Sequence, residues 1–310
     1  MSLNIFLRTF HNLTSKRQFL KIQWKKLEKN YFPVQKRNHL SQSINSNSDM
    51  PPSGKARTVL IDLSGTVHVE STAISTAHSA IERLRDTSLN IRFVTNSSKE
   101  SKLSLYKRLK NMGFDIKMDE IFTSLTAARQ LVETRKLRPM LILTEEAMDD
   151  FKGIPNEDPN AVLVGLTPDK FNYEHLNTAF RVLLDKPDIP LIAINKARYI
   201  KQLSGLSLAT GPFVTALEYA VDRKAELVGK PNSAFFLESI KDFGCEASST
   251  VMIGDDVRDD VEGAMKIGMF GILVKTGKYR DGDETKIKPG PDAICSDIGD
   301  AVEYIITNLT

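Results

Sequence analysis

From Arg57 to the C-terminus, short apolar runs alternate with segments whose apolar residues recur at helical spacing. No other feature restricts the fold as tightly, because this alternation predicts a mostly parallel sheet covered by helices. "TVLID" (58–62) reads as a buried strand, "AHSAIERLRDT" as a helix and "IRFVTN" as a second strand. "KLSLYKRLKNMG" places Leu105, Leu109 and Met112 on one helical face and stops at Gly113, a position suited to a left-handed cap. A second series starts near Arg135 with "PMLILT", a short helix, "NAVLVGL", the helix "YEHLNTAFRVLLDK", "PLIAIN" and the helix "FVTALEYAVDRK". It continues through "AELVGKP", a helix over "AFFLESIKDFG", the strand "TVMIGDD", the helix "VEGAMKIG" and "FGILVKTG". About ten strands exceed one comfortable sheet, so two sub-domains are expected. The charged stretch "GKYRDGDETKIKPGPD" reads as a surface loop before a closing helix from about Gly299.

Three of the strands end in polar clusters: Asp62 with Ser64, Thr95 with Asn96, and Gly254-Asp255-Asp256. In an open parallel sheet the carboxyl ends of neighbouring strands form the ligand crevice, so residues distant in sequence can converge there. Two carboxylates meeting in that crevice repel unless a cation lies between them, and a few oxygen ligands suit Mg2+ shared with a phosphate. Thr95 and the backbone N–H of Asn96 are expected to donate to phosphate oxygens near a helix start, and Lys230 in "VGKP" adds a point charge. Such a set suits phosphoryl transfer, which depends on positioning and charge neutralisation. Each motif alone has a blander reading: Asp62 as a turn or helix cap, "GDD" as an N-cap with first-turn acids, "GKP" as a turn lysine, "TNSS" as a helix cap. Their order, each behind an apolar strand, sets them apart. The five histidines show no metal-binding spacing. No G-x-x-x-x-G-K-[ST] loop supports a nucleotide-dependent kinase or ATPase, and no G-x-G-x-x-G follows a strand as dinucleotide binding would require.

In this order the strand ends resemble the motifs of the haloacid dehalogenase superfamily of aspartate-nucleophile phosphatases, and "RFVTN", "MIGDD" and "GILVKTGKYR" add to the likeness. The resemblance runs from about Met50 to the C-terminus. It implies a doubly wound, Rossmann-like α/β core with an inserted α/β cap, since 134 residues separate Thr95 from Lys230. The expected division is a leader over 1–53, a core over 54–135 and 225–310, and a cap over 136–224. By the same resemblance Asp62 is the nucleophile and forms an aspartyl-phosphate. Asp62, the Ser64 carbonyl and Asp255 would bind Mg2+, while Asp62, Ser64, Thr95, Asn96 and Lys230 would hold the phosphoryl group. Asp256 and Asp260 stand as orienters of water or Lys230, or else as helix caps, and Arg258 as a solvated residue. A specificity loop falls at "INKARYIKQLSGLSLATG", with Asn195, Lys196, Arg198 and Tyr199 as candidate substrate contacts, against the alternative of a basic surface loop. The resemblance also implies a homodimer formed through the cap and a small phosphorylated substrate.

Ser64 departs from the superfamily pattern, which has a second aspartate at that place. A serine hydroxyl does not titrate near neutrality and cannot supply acid–base catalysis, normally worth about 10²–10⁴-fold. Activity is therefore expected on phosphates whose leaving group needs little help: phosphoramidates, anhydrides such as pyrophosphate, or aryl esters. The competing reading is a catalytically weak or inactive phosphate-binding or regulatory protein on the same fold. The joint presence of Asp62, Lys230 and Asp255 favours turnover.

The formal charge of +3 conceals a division, because residues 1–49 hold nine Lys or Arg against Glu28 and Asp49. From Met50 onward 33 basic and 37 acidic residues remain, a net of −4, which argues against nucleic acid as a partner. No apolar run approaches the stretch of about 20 residues that crosses a bilayer, so no membrane partner is expected. The basic leader lacks a secretory apolar core and is expected to be either a mitochondrial transit peptide, or a disordered leader or upstream start artefact with Met50 as the initiating residue of the folded protein. Cys245 and Cys295 lack metal-ligand spacing and fit a reducing compartment. The expected compartment is the cytoplasm, or the mitochondrion if residues 1–49 act as a transit peptide.

Overall fold

The computed structural model describes residues 55–202 and 204–310, so the expectations for the leader lie outside the described residues. In chain order the strands are β1 (Thr58–Asp62), β2 (His68–Val69), β3 (Thr72–Ala73), β4 (Asn90–Thr95), β5 (Ile121–Thr123), β6 (Pro139–Ile142) and β7 (Ala161–Val164). There follow β8 (Leu191–Ala193), β9 (Tyr199–Gln202), β10 (Gly205–Leu208), β11 (Glu226–Leu227), β12 (Thr250–Gly254), β13 (Phe270–Val274) and β14 (Ala293–Cys295). Six of them form one sheet in the order β14-β13-β12-β1-β4-β5, with every pairing parallel. A second parallel sheet has the order β11-β8-β7-β6.

The six-stranded sheet is covered on both faces, as unbroken apolar strands require. Because side chains alternate across a strand, Val59 and Ile61 face one layer and Leu60 the other. Val59, Ile61 and Phe93 pack with Ala80, Ile81 and Leu84 of the helix Ala77–Arg85 and with Val302 and Ile305 of the helix Ile298–Asn308. Leu60, Val94 and Met252 pack with Phe235 and Phe236 of the helix Ser233–Ile240. Each such apolar side chain, fully buried, contributes about 1.5–3 kcal/mol. The helix Lys102–Asn111 buries Leu105 and Leu109 and ends as its sequence predicts: Gly113 has φ +86°, and the N–H groups of Gly113 and Phe114 return to the carbonyls of Lys110 and Leu109. In the second sheet, Leu163 and Ile192 pack with Leu125, Ala128 and Val132 of the helix Ser124–Thr134, while Val162 and Val164 face Ala179, Leu183, Val214 and Leu217.

Among the described residues fourteen strands stand where about ten are expected. Much of the difference is two antiparallel hairpins, β2-β3 and β9-β10. Neither contains a continuous apolar run, so neither gives a strand signal in sequence. The helix expected over "VEGAMKIG" starts earlier, with a π-type turn over Val257–Glu262 that runs into Gly263–Met265. Among the described residues no helix is long and apolar enough to cross a membrane.

Candidate active site

From β1 the chain steps to β4 and β5 on one side, and β12, β13 and β14 extend the sheet on the other. The carboxyl ends of adjacent strands at such a switch point open into a crevice. Ile61 pairs with Ile253, so Asp62 leaves β1 beside Gly254 and Asp255 follows directly. Asp62, Asp255 and Asp260 each bring a carboxylate oxygen within 4.8 Å of the others, and among the described residues they are the one such cluster of possible metal ligands. All three are buried, with Asp62 at 5% and Asp255 and Asp260 at 2% exposure.

Lys230 stands between two of these carboxylates, its Nζ 2.5 Å from Asp62 Oδ1 and 2.6 Å from Asp260 Oδ1. Burial opposes its charge, but Asp260 and Asp62 outweigh that and hold the ammonium above the usual lysine range. Asn96 fixes the lysine backbone from both sides, its Oδ1 accepting from Lys230 N and its Nδ2 donating to Lys230 O, each at 2.9 Å. Thr95 closes β4; its Oγ1 accepts from Ser97 N at 3.1 Å and keeps its own proton to donate. Ser64 lies exposed on the rim of the same crevice. The helix expected near Asn96 begins only at Lys102, capped by Ser101 rather than by "TNSS".

Asp255 has one oxygen in use and one spare. Oδ2 accepts from Lys278 N at 2.8 Å, whereas Oδ1 is buried without a hydrogen-bond partner. Burial, with Lys278 opposing and the Asp62 and Asp260 charges adding, pushes its pKa well above the carboxylate range. Buried polar atoms without partners are rare and call for an explanation. A hard divalent cation fits: the donors are all oxygens, several carboxylates converge, and Oδ1 is unclaimed. Asp260 has less freedom, since Lys230 engages Oδ1 and Asp256 N donates to Oδ2 at 3.1 Å. Its carboxylate therefore holds Lys230, as one sequence reading expects. Asp256 takes the other reading: Oδ1 caps the following turn by accepting from Arg258 N and Asp259 N, both at 2.9 Å. Arg258 is exposed, as expected.

Two glycines make room for Asp255. Gly65 has φ +102°, and a Cβ there would fall 2.0 Å from Asp255 Oδ2; at Gly277, φ +59°, the distance would be 2.2 Å. Gly65→Ala is expected to lower stability by roughly 1–3 kcal/mol, read in denaturant unfolding, because a left-handed residue gains a side chain inside another's carboxylate. An unchanged midpoint would show that Asp255 does not rest on this loop.

The sequence reading omits Lys278, whose N–H holds Asp255 and whose Nζ lies 2.8 Å from Asp256 Oδ2. Its signal is the pair Gly277-Lys278 soon after an apolar strand, the same pattern as Gly229-Lys230. Asn195 lines the crevice and donates to Asn96 O at 3.0 Å, joining the second sheet's segment to the first. Lys196, Arg198 and Tyr199 instead line a neighbouring cavity of about 300 Å³ with Arg258 and Glu262. Along the hairpin β9-β10 it is Ile200, Lys201 and Gln202 that face the main cavity, whose volume is about 420 Å³.

A parallel α/β sheet with carboxylates and a lysine gathered at its switch point defines a class of hydrolases, and the chain belongs to the haloacid dehalogenase-like hydrolase family. Residues 59–154 match that family's profile and residues 227–301 match a second, HAD-hydrolase-like profile. The chain is 58% identical over 253 residues to haloacid dehalogenase-like hydrolase domain-containing protein 2 of Bos taurus, covering 82% of this chain and 97% of that one. It is 38% identical over 265 residues to phospholysine phosphohistidine inorganic pyrophosphate phosphatase of Homo sapiens, covering 83% and 98% respectively. Among solved structures, p-nitrophenyl phosphatase from Archaeoglobus fulgidus superposes with a TM-score of 0.73 at 25% identity, over 81% of this chain and 99% of that one.

Proposed function

We propose that this protein is a magnesium-dependent phosphatase in which Asp62 takes up the phosphoryl group of a small substrate and water then releases it as inorganic phosphate. The observation that carries this reading is the meeting of Asp62, Asp255 and Asp260 within 4.8 Å around a buried lysine, with Asp255 Oδ1 unclaimed. The relatives named as phosphatases support it. A cavity of about 420 Å³ is of the size that takes a small molecule.

Asp62 and Asp255, with the Ser64 carbonyl, would hold Mg2+, which when bound offsets charge on the phosphoryl oxygens. The Asp62 carboxylate attacks phosphorus, an O–P bond forms, and the bond to the leaving group breaks with its electron pair leaving on that group. Lys230 holds the carboxylate in place through its ion pair with Oδ1, and Thr95 Oγ1 donates to a phosphoryl oxygen. Water then attacks phosphorus, the O–P bond to Asp62 breaks, and one proton of that water passes to solvent as phosphate departs. No group at position 64 can protonate the leaving group. The substrates that fit are therefore P–N and P–O–P compounds and aryl phosphates, whose leaving groups depart with little assistance.

The test is a screen of phosphoramidate, pyrophosphate, aryl and alkyl phosphates with Mg2+ and with a chelator. Turnover of the first three, abolished by chelation, is expected, and alkyl phosphates should be poor. Equal or better rates on an alkyl phosphate would remove the leaving-group argument. Release of a single phosphate per chain without turnover would favour a phosphate-binding protein. Ser64→Asp should raise alkyl phosphate turnover by about 10-fold or more, since it restores an acid.

A further inference from the structure

His68 is a buried polar side chain of the crevice that the proposed reaction does not use. His68 opens β2, six residues beyond Asp62, and is 3% exposed. Its backbone is tied to the loop that carries Asp62 and Ser64: His68 N donates to Leu63 O at 3.1 Å, and Gly65 N donates to His68 O at 2.7 Å. The imidazole lines the same cavity as Asp62, Ser64 and Lys230, yet neither Nδ1 nor Nε2 has a hydrogen-bond partner.

The other two described histidines behave differently. His78 Nε2 contacts Met112 O at 3.0 Å while its ring stacks on Phe114, and His175 Nδ1 contacts Asn172 Oδ1 at 3.0 Å. His78 is half-buried and His175 exposed, so of the three only His68 is buried, and only it lacks a partner. Of the groups facing His68, the Glu70 backbone approaches the ring without reaching a hydrogen bond of ordinary geometry, and the charged side chains are engaged with one another. Arg108 is committed to Glu100, through Nε and Nη2, and to Glu70 O through Nη1 at 2.9 Å. Glu100 accepts from that guanidinium at distances down to 2.6 Å. Burial, with Arg108 adding and the Glu70 backbone and Glu100 opposing, pushes the imidazole down to about 4, and an imidazole ring offers two nitrogens for pairing. Leaving both nitrogens unpaired in a buried position would cost free energy without return.

We propose that His68 is a specificity-determining residue whose imidazole hydrogen-bonds the leaving group of the substrate. This inference rests on the phosphatase reading and deepens it. The substrate class it selects is a phosphorylated compound whose leaving group has a hydrogen-bonding edge, as a phosphate, an imidazole or an amine has and a plain arene has not. A site that pairs its own buried polar groups with a substrate rejects analogues that leave them bare. His68 thus adds discrimination by shape and polarity to the restriction that Ser64 places on leaving-group chemistry.

The experiment compares wild type, His68→Phe and His68→Gln on pyrophosphate and on phenyl phosphate with Mg2+. His68→Phe is expected to lower kcat/KM on pyrophosphate about 10-fold while changing phenyl phosphate less than about 3-fold. His68→Gln, which keeps a donor and an acceptor, should recover part of the loss. Binding is read separately by calorimetry in the Asp62→Asn background. There His68→Phe should weaken pyrophosphate about 10-fold and leave inorganic phosphate unchanged. Equal losses on both substrates and both ligands, or no loss on any, would overturn the assignment. A wild type without turnover that still shows the pyrophosphate-selective binding loss would count against the phosphatase reading and not against His68.

Discussion

Asp62→Asn is expected to abolish phosphate release on every substrate the wild type turns over, a loss of about 10⁴-fold or more in kcat. The argument is geometric. The amide replaces the carboxylate without changing its volume, so β1, the Gly65 turn and the position of Lys230 stay as they are, and Asn Oδ1 can still accept from Lys230 Nζ. What disappears is the anionic oxygen that attacks phosphorus. Inorganic phosphate should still bind, because Thr95 and Lys230 remain. Loss of turnover with retained phosphate binding, both with Mg2+ present, is therefore the expected pair of results. Turnover within a hundredfold of wild type would show that another group carries the phosphoryl transfer, and would remove Asp62 from the proposal.

Asp62 and Asp255 are legible in sequence because each closes an unbroken apolar strand, and two parallel strands paired side by side must bring their ends together. Thr95 is legible for the same reason. Asn96 is only partly so. Its amide side chain holds the Lys230 backbone across a sequence separation of 134, and no local pattern announces a contact of that range. The roles of Asp256 and Asp260 divide for a reason that residue types do not reveal. The turn Val257–Glu262 is wider than an α-helix, which leaves Asp256 to cap it and turns Asp260 inward to Lys230. Lys278 hides in a charged stretch that reads as surface, and reaches Asp255 only because Gly277 takes a left-handed turn at the end of β13. His68 has the weakest signal of all. A two-residue strand has no periodicity, and nothing local says that its ring finds no partner.

Lys230→Met should show how the site is held when no metal is present. The ammonium is 2% exposed and pairs with two carboxylates that are themselves buried, so its removal leaves Asp62 and Asp260 facing each other without a cation. Breaking a buried pair by deleting one partner costs roughly 3–5 kcal/mol, because the remaining charge is desolvated and unpaired. Methionine fills a similar volume with a flexible apolar chain, so a packing defect adds little. In a domain of this size each kcal/mol moves the melting midpoint by about 2–4 °C, which places the expected fall near 10 °C in the presence of a chelator. Magnesium should recover part of that fall, since a divalent cation bound at Asp62 and Asp255 stabilises the folded state by mass action and replaces some of the missing charge. The wild type, in which Lys230 already pairs Asp62 and Asp260, should gain less from the same addition. A melting midpoint unmoved by the substitution would mean that these carboxylates are protonated or solvated rather than paired. A fall that magnesium fails to reduce would separate the lysine's role from the cation's and place the metal away from Asp62.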